Sequence, residues 1–229
     1  MKRILIVAAH PDDEILGCGG TIIRRINEGD EVYSLVLGEG ITSRYQKRIL
    51  GEEVKLKELH DSYNKVCKFM GFKNWWLYKF PDNRFDSVDL LDIVKVVESI
   101  KEELQPEIVY THFENDLNID HRLTFQAVLT ACRPLNTESV KEILSFEIPS
   151  STEWVSSSNA VNNFNPNIFV NIEDTIDKKI EAIKIYKSEL REYPHPRSLD
   201  ALRIISQRWG IVSGLNFAEA FITIRKVIR

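Results

Sequence analysis

Between positions 8 and 20 the chain reads Ala-Ala-His-Pro-Asp-Asp-Glu-Ile-Leu-Gly-Cys-Gly-Gly. One imidazole, His10, and two adjacent carboxylates, Asp12 and Asp13, stand together beside a proline that stiffens the turn. Ionised carboxylates this close repel each other, and a bound cation removes that penalty. An Asp-Asp-Glu run can also cap a helix and complement its dipole. Capping leaves unexplained both His10 and a second cluster far downstream, Asn115-Asp116-Leu117-Asn118-Ile119-Asp120-His121-Arg122, which follows His112. Catalytic zinc takes three protein ligands and leaves a position for water. His10 and Asp13 offer two, and the third is His121 or, as the alternative, His112 at the end of the preceding strand. Such an ion makes hydroxide available near neutral pH and polarises a carbonyl. Asp12 is spare in that count and free to act as a general base.

These residues need a scaffold that delivers them to one edge, and the hydrophobic pattern supplies it. Residues 3–8 form a buried strand, and a helix runs from about Glu14 or Leu16 towards Asn27, ending at the Gly29-Asp30 turn. Residues 31–37 are a second strand, followed by a polar loop through Arg44 and Tyr45. Residues 52–70 repeat apolar side chains at helical spacing, 75–78 is a short strand, and 87–104 is another amphipathic helix. Strand 107–112 ends on a histidine, and a helix starts near His121. Beyond it the pattern predicts a strand at 143–148 and a Ser- and Asn-rich surface loop at 150–166 that shapes a substrate pocket. A strand at 168–172, helices over 174–190 and around 199–208, and a final strand at 221–227 complete the chain. Alternation of strand and helix predicts a Rossmann-like α/β fold, a mostly parallel sheet flanked by helices, as a single domain over 1–229. In such sheets ligands bind where strands end and helices begin. Pro194-His195-Pro196-Arg197 is a turn whose prolines fix its backbone, suited to holding His195 or Arg197 over a cleft or simply to turning the chain at the surface.

Composition sets the bounds. The chain has 229 residues, 43% of them hydrophobic and 28% charged, with a net charge of -4. That size supports one substantial core, and the mixed charge argues against a nucleic-acid partner, which would select a basic face. The sequence shows no signal peptide and no apolar run long enough for a membrane span. Cys18, Cys67 and Cys132 are scattered and odd in number, which points to a reducing cytoplasmic setting without a disulfide framework. Association into a homo-oligomer is left open.

The two motifs, Ala9-His10-Pro11-Asp12-Asp13-Glu14 with Gly17-Cys18-Gly19-Gly20 and Asn118-Ile119-Asp120-His121, resemble those of the PIG-L/LmbE family of zinc-dependent deacetylases. The resemblance extends over most of the chain and is loosest between 150 and 190. It implies removal of an acetyl group from an N-acetylglucosamine-type amide, in a glycoconjugate or sugar-thiol precursor. It implies His10, Asp13 and His121 as ligands for Zn2+, with other divalent metals admitted by the donor set, and Asp12 as base. Arg44 matches a family arginine that contacts the sugar. Many members carry a histidine where this chain has Asn118, to stabilise the tetrahedral intermediate. An Asn amide can donate to an oxyanion but supplies neither full charge nor a proton, and it can instead cap the following helix.

Two other classes compete. A dinucleotide fingerprint needs G-x-G-x-x-G directly after the strand, but Ile22 stands where the third glycine belongs. A non-catalytic metal- or sugar-binding module would keep the ligands but would have no use for Asp12. Trp75 and Trp76 offer an apolar face for a sugar ring or pack into the core.

Overall fold

The computed structural model describes residues 1–44, 50–156 and 163–228, and the side chains of 50–52 lie outside the described set. Tyr45, at the end of the polar loop, and 157–162 of the Ser- and Asn-rich segment also fall outside it. In chain order the elements are β1 (Arg3–Ala8), α1 (Asp13–Asn27), β2 (Glu31–Gly38), α2 (Leu50–Met70) and β3 (Asn74–Phe80). They continue with α3 (Leu90–Leu104), β4 (Ile108–His112), α4 (Ile119–Ala131) and β5 (Glu142–Phe146). Last come β6 (Ile168–Asn171), α5 (Ile176–Ile185), α6 (Leu199–Ser213) and β7 (Ala218–Lys226).

The strands form one sheet in the order β3-β2-β1-β4-β5-β7-β6. The first five pair in parallel, whereas β7 runs antiparallel to both β5 and β6. Successive side chains on a strand point to opposite faces, so each apolar strand feeds two cores. Ile4, Ile6 and Ala8 pack with α1, α2 and α5 on one face, while Leu5, Val7 and Ala9 pack with α3 and α4 on the other. The result is the three-layer α/β architecture that the alternating pattern predicts. Among the described residues no helix is long and apolar enough to cross a membrane. The three cysteines are buried and unpaired, and Cys18 donates to Glu14 O within α1 at 3.3 Å.

Helix α1 starts at Asp13, earlier than the pattern suggests, and is kinked at Cys18, whose φ of -145° is not helical. A kink frees carbonyls before it and N–H groups after it. Glu219 of β7 accepts from Gly20 N at 2.8 Å and Thr21 N at 2.6 Å, and Lys179 of α5 donates to Leu16 O at 2.8 Å. The two side chains pair with each other at 2.7 Å. The carboxylate sits at a helix start and the ammonium at a helix end, each matching the local dipole. The glycines allow close packing here. A Cβ on Gly17 would lie 2.4 Å from the Phe146 ring, and one on Gly20 would lie 2.9 Å from Ile172. They therefore seat α1 against the sheet and form no phosphate-binding loop.

Other element boundaries also differ from the sequence expectation. The helix expected over 174–190 ends at Ile185, because Tyr186 turns inward and its hydroxyl donates to buried Glu14. Helix α6 runs on to Ser213, where Gly214 ends it at φ 75°. The strand expected at 143–148 stops at Phe146.

Candidate metal and catalytic site

The chain leaves β1 for β2 on one side and returns as β4 on the other, so a crevice opens at the carboxyl ends of β1 and β4. Ile4 lies opposite Ile108 and Ile6 opposite Tyr110, which brings the two strand ends level. His10 to Asp13 enter from β1, and Asp116 to His121 enter from β4.

The turn after β1 is held open by its own carboxylates. Asp12 has φ 112°, a conformation that costs a non-glycine residue about 1–3 kcal/mol. Asp12 N donates to Glu14 Oε2 at 3.0 Å, and Ile15 N and Leu16 N donate to Asp12 O at 3.0 and 2.9 Å. The Asp12 side chain makes no capping bond to its own helix. It lines the crevice instead, where Oδ2 accepts from Arg197 Nη1 at 3.0 Å.

Asp13 Oδ2 is the hub of the site. His10 Nδ1 and His121 Nε2 each lie 3.3 Å from it, and His10 N donates to it at 2.9 Å. One ligand atom from each of His10, Asp13 and His121 falls within 4.8 Å of the others. The outer ring nitrogens face carboxylates, His10 Nε2 at 2.8 Å from Asp120 Oδ2 and His121 Nδ1 at 3.1 Å from Asp116 Oδ1. That is how metal-bound imidazoles are normally backed. Asp120 in turn accepts from Asn83 N at 2.6 Å and Phe85 N at 2.9 Å, and Ser151 and Thr152 donate to Asp116. Asp82, 3.3 Å from His10 Nε2, completes a second acidic group around the same ring. Asp120 already takes two backbone N–H groups and Nε2 of His10, which orients the His10 ring.

A divalent ion fits these residues. Asp13 Oδ1 and His121 Nε2 are buried and make no hydrogen bond within the protein, a state that buried polar atoms rarely keep. The electrostatics agree. Burial opposes charge on His10, yet Asp120 and Asp13 hold its pKa well above the usual value. Burial likewise opposes charge on His121, and Asp13 and Asp116 lift it to about 9. Burial works to raise Asp13 and Asp116, but His121 holds Asp13 well below the carboxylate range and Asp116 at about 2. A buried cluster this negative attracts positive charge, and a metal can replace the imidazole protons. Burial pushes Asp12 above its ordinary value, against the pull of Arg197. It pushes Glu14 up to about 7.

The other expected residues fall as follows. His112 is fully buried and stacks on His121 at 4.0 Å, and its Nε2 accepts from Ala9 N at 2.8 Å. That bond occupies its lone pair and fixes the neutral tautomer. Burial and the charge on His121 hold its pKa well below normal. Asn118 lines the crevice and also caps α4, with Oδ1 accepting from Asp120 N at 2.8 Å and Nδ2 donating to Asn83 Oδ1 at 2.9 Å. Arg44 lines the crevice and donates to Glu189. Arg197 reaches the site from the proline-flanked turn, but His195 does not. His195 Nδ1 accepts from Arg197 N at 3.1 Å and its ring meets Trp154 edge-on, outside the crevice lining. Trp75 donates to Asn64 and Trp76 stacks on Tyr33, so both belong to β3 and its packing. Among the described residues of the 150–166 segment none lines the crevice, and Ser150 Oγ accepts from Arg197 Nε at 2.8 Å.

Sequence reasoning missed Glu189, Asp82 and Asn83, all in the crevice lining. Asp82 and Asn83 sit just past the end of β3, where the strand-end rule could have found them. Glu189 lies in a charge-rich stretch with no pattern to separate it from solvated neighbours.

Residues 5–132 match the family described as PIG-L, GlcNAc-PI de-N-acetylase. The chain belongs to that family. Among PIG-L relatives it is 28% identical over 193 residues to the uncharacterised deacetylase YaiS of Escherichia coli, covering 82% of this chain and 91% of that one. It is 26% identical over 228 residues to the diacetylchitobiose deacetylase of Thermococcus kodakarensis, covering 96% of this chain and 82% of that one. The fold superimposes on N,N'-diacetylchitobiose deacetylase from Pyrococcus horikoshii with a TM-score of 0.78 at 20% identity, over 98% of this chain and 84% of that one.

Proposed function

We propose that this PIG-L protein is a metal-dependent N-deacetylase, with zinc as its native ion, acting on an N-acetylated amino sugar. The carrying observation is that Asp13 and His121, each with a buried atom that makes no hydrogen bond, cluster with His10, and that His10 lines the crevice beside Asp12. His10, Asp13 and His121 would hold the ion. When bound, it supplies Lewis acidity towards an amide carbonyl and lowers the pKa of water. Asp12 takes the proton from the attacking water and returns it to the departing nitrogen, which leaves badly as an anion. Arg197 orients the Asp12 carboxylate, and Glu14 holds the strained turn beneath it through Asp12 N. Asn118 has one amide proton committed to Asn83 and donates the other to the amide oxygen as charge develops there. Arg44 and Asp82 meet the sugar hydroxyls. The free buried cysteines suit a reducing cytoplasm.

The test is a panel of N-acetylglucosaminyl compounds incubated with zinc-loaded protein, with acetate and primary amine measured together. Equimolar release of both is expected. Bound metal without hydrolysis of any member would favour a non-catalytic metal- or sugar-binding module. Turnover of a simple ester or nucleotide instead would reject the sugar.

A further inference from the structure

Two guanidinium groups, Arg44 and Arg197, line the crevice. An open guanidinium in a substrate cleft is a ready bidentate partner for phosphate or carboxylate. Here both are already engaged by carboxylates. Arg44 Nη2 donates to Glu189 Oε2 in a short contact. Arg197 Nη1 donates to Asp12 Oδ2 at 3.0 Å and stands 3.5 Å from the same Glu189 Oε2. Glu189 therefore bridges the two arginines, with its other oxygen accepting from Ser188 Oγ at 3.1 Å. Its side chain is 8% exposed, against 36% for Arg44, so the carboxylate forms the wall and the arginine the rim.

This arrangement bears on what can enter. Arg197 is tied to Asp12 and cannot turn to a ligand without releasing it. An anion that binds the remaining N–H groups of Arg44 comes beside Glu189, a like charge, and one that displaces Glu189 takes from that buried carboxylate one of its two arginine partners. Asp82 adds another carboxylate to the same lining. A neutral saccharide meets no such conflict, because its hydroxyls can donate to Glu189 and Asp82 and accept from the remaining N–H groups of Arg44. We infer that Glu189 sets the substrate class, selecting neutral N-acetylated saccharides over those bearing a phosphate or carboxylate near the reacting sugar. The inference rests on the deacetylase reading, which supplies the amide.

The experiment compares wild type, Glu189→Gln, Arg44→Gln and the double variant. The probes are N-acetylglucosamine and N,N'-diacetylchitobiose as neutral sugars, and N-acetylglucosamine 6-phosphate as the anion. Deacetylation gives kcat and KM, and calorimetric titration of the metal-free protein gives affinity without turnover. Wild type should favour the neutral probes by about tenfold or more in both readouts. Glu189→Gln should move the preference towards the phosphate by about tenfold, mainly through its KM, because Arg44 is released. The double variant should lose that gain. A wild-type preference for the phosphate, or an unchanged ratio in folded Glu189→Gln, overturns the inference. Should Glu189→Gln fail to fold, Arg44→Gln decides. It leaves Glu189 less neutralised and must deepen discrimination against the phosphate, and an unchanged ratio there also overturns the proposal. Absence of turnover on every N-acetyl probe would defeat the deacetylase reading, whereas the calorimetric preference would still decide the role of Glu189.

Discussion

Arg197 Nη1 donates to Asp12 Oδ2 at 3.0 Å, tying the turn before α6 to the start of α1 across 185 positions of sequence. The bond holds one carboxylate oxygen of a residue whose backbone is already fixed at positive φ, and leaves Oδ1 for a water proton. Asp12→Asn should therefore keep its metal and lose about a hundredfold or more in kcat, the usual scale for a general base. Arg197→Ala should lose less, and should cost little further when Asp12 is already Asn. Steady-state kinetics on the four proteins of that cycle checks it. Equal losses from Arg197→Ala in both backgrounds would show that the arginine acts elsewhere.

Metal retention should follow the carboxylates behind the histidines as well as the ligands. His121→Ala and Asp13→Ala should purify with most of the metal gone. Asp116→Asn and Asp120→Asn, each backing one imidazole, should bind zinc about 10–100-fold more weakly with the fold intact. Chelation of the wild type should lower its thermal midpoint, since an ion held only by the native state stabilises by about 2.7 kcal/mol at a hundred times its Kd. Elemental analysis, zinc titration and thermal melts measure these. Stoichiometric zinc in a His10, Asp13 and His121 triple alanine variant would end the ligand assignment.

How far the sequence carried this site depends on the residue. The apolar run Ile4 to Val7 leads directly into His10, so strand, turn and the His10 to Asp13 cluster are adjacent and readable together. His121 stood out beside Asp120 at a helix start, but the residues alone left His112 as its alternative, and the family resemblance favoured His121. Pro194 and Pro196 marked a rigid turn that offered His195 or Arg197 alike, and only Arg197 lines the crevice. Glu189 carries no such mark. It sits among Lys187, Arg191 and Glu192, and its burial depends on α5 ending early as Tyr186 turns in to Glu14. The antiparallel return of β7 was equally hidden, because edge strands of either direction share the same alternation. Asn118 was read as donor or cap, and the structure shows it capping α4 from the lining of the crevice.

The ion pair at the kink of α1 should matter for stability rather than for chemistry. Lys179 and Glu219 are both nearly inaccessible, and each also bonds backbone groups of α1. Lys179→Met would leave Glu219 buried without its counter-charge, so it should lose about 3–5 kcal/mol in urea unfolding. Glu219→Gln keeps hydrogen-bonding capacity and should lose less. A Lys179→Met protein as stable as wild type would mean that the kink is held by packing alone.

Packing around Gly17 links the fold to the candidate metal site through a short chain of rings. A Cβ at Gly17 would lie 2.4 Å from Phe146 Cδ2, which a close-packed interior cannot absorb without moving the ring. Phe146 meets His112 edge-on at 5.0 Å, and His112 stacks on His121 at 4.0 Å. Gly17→Ala should therefore destabilise the protein by about 1–3 kcal/mol, the usual cost of overpacking, even though alanine is the better helix former. It should also weaken zinc binding, because the displaced Phe146 pushes through His112 onto His121. Phe146→Leu removes the obstruction, so in that background Gly17→Ala should cost much less in both stability and zinc affinity. Urea unfolding and zinc titration of the two single variants and the double variant test the coupling. If Gly17→Ala lowers stability and leaves zinc affinity at the wild-type value, the ring stack does not transmit the displacement.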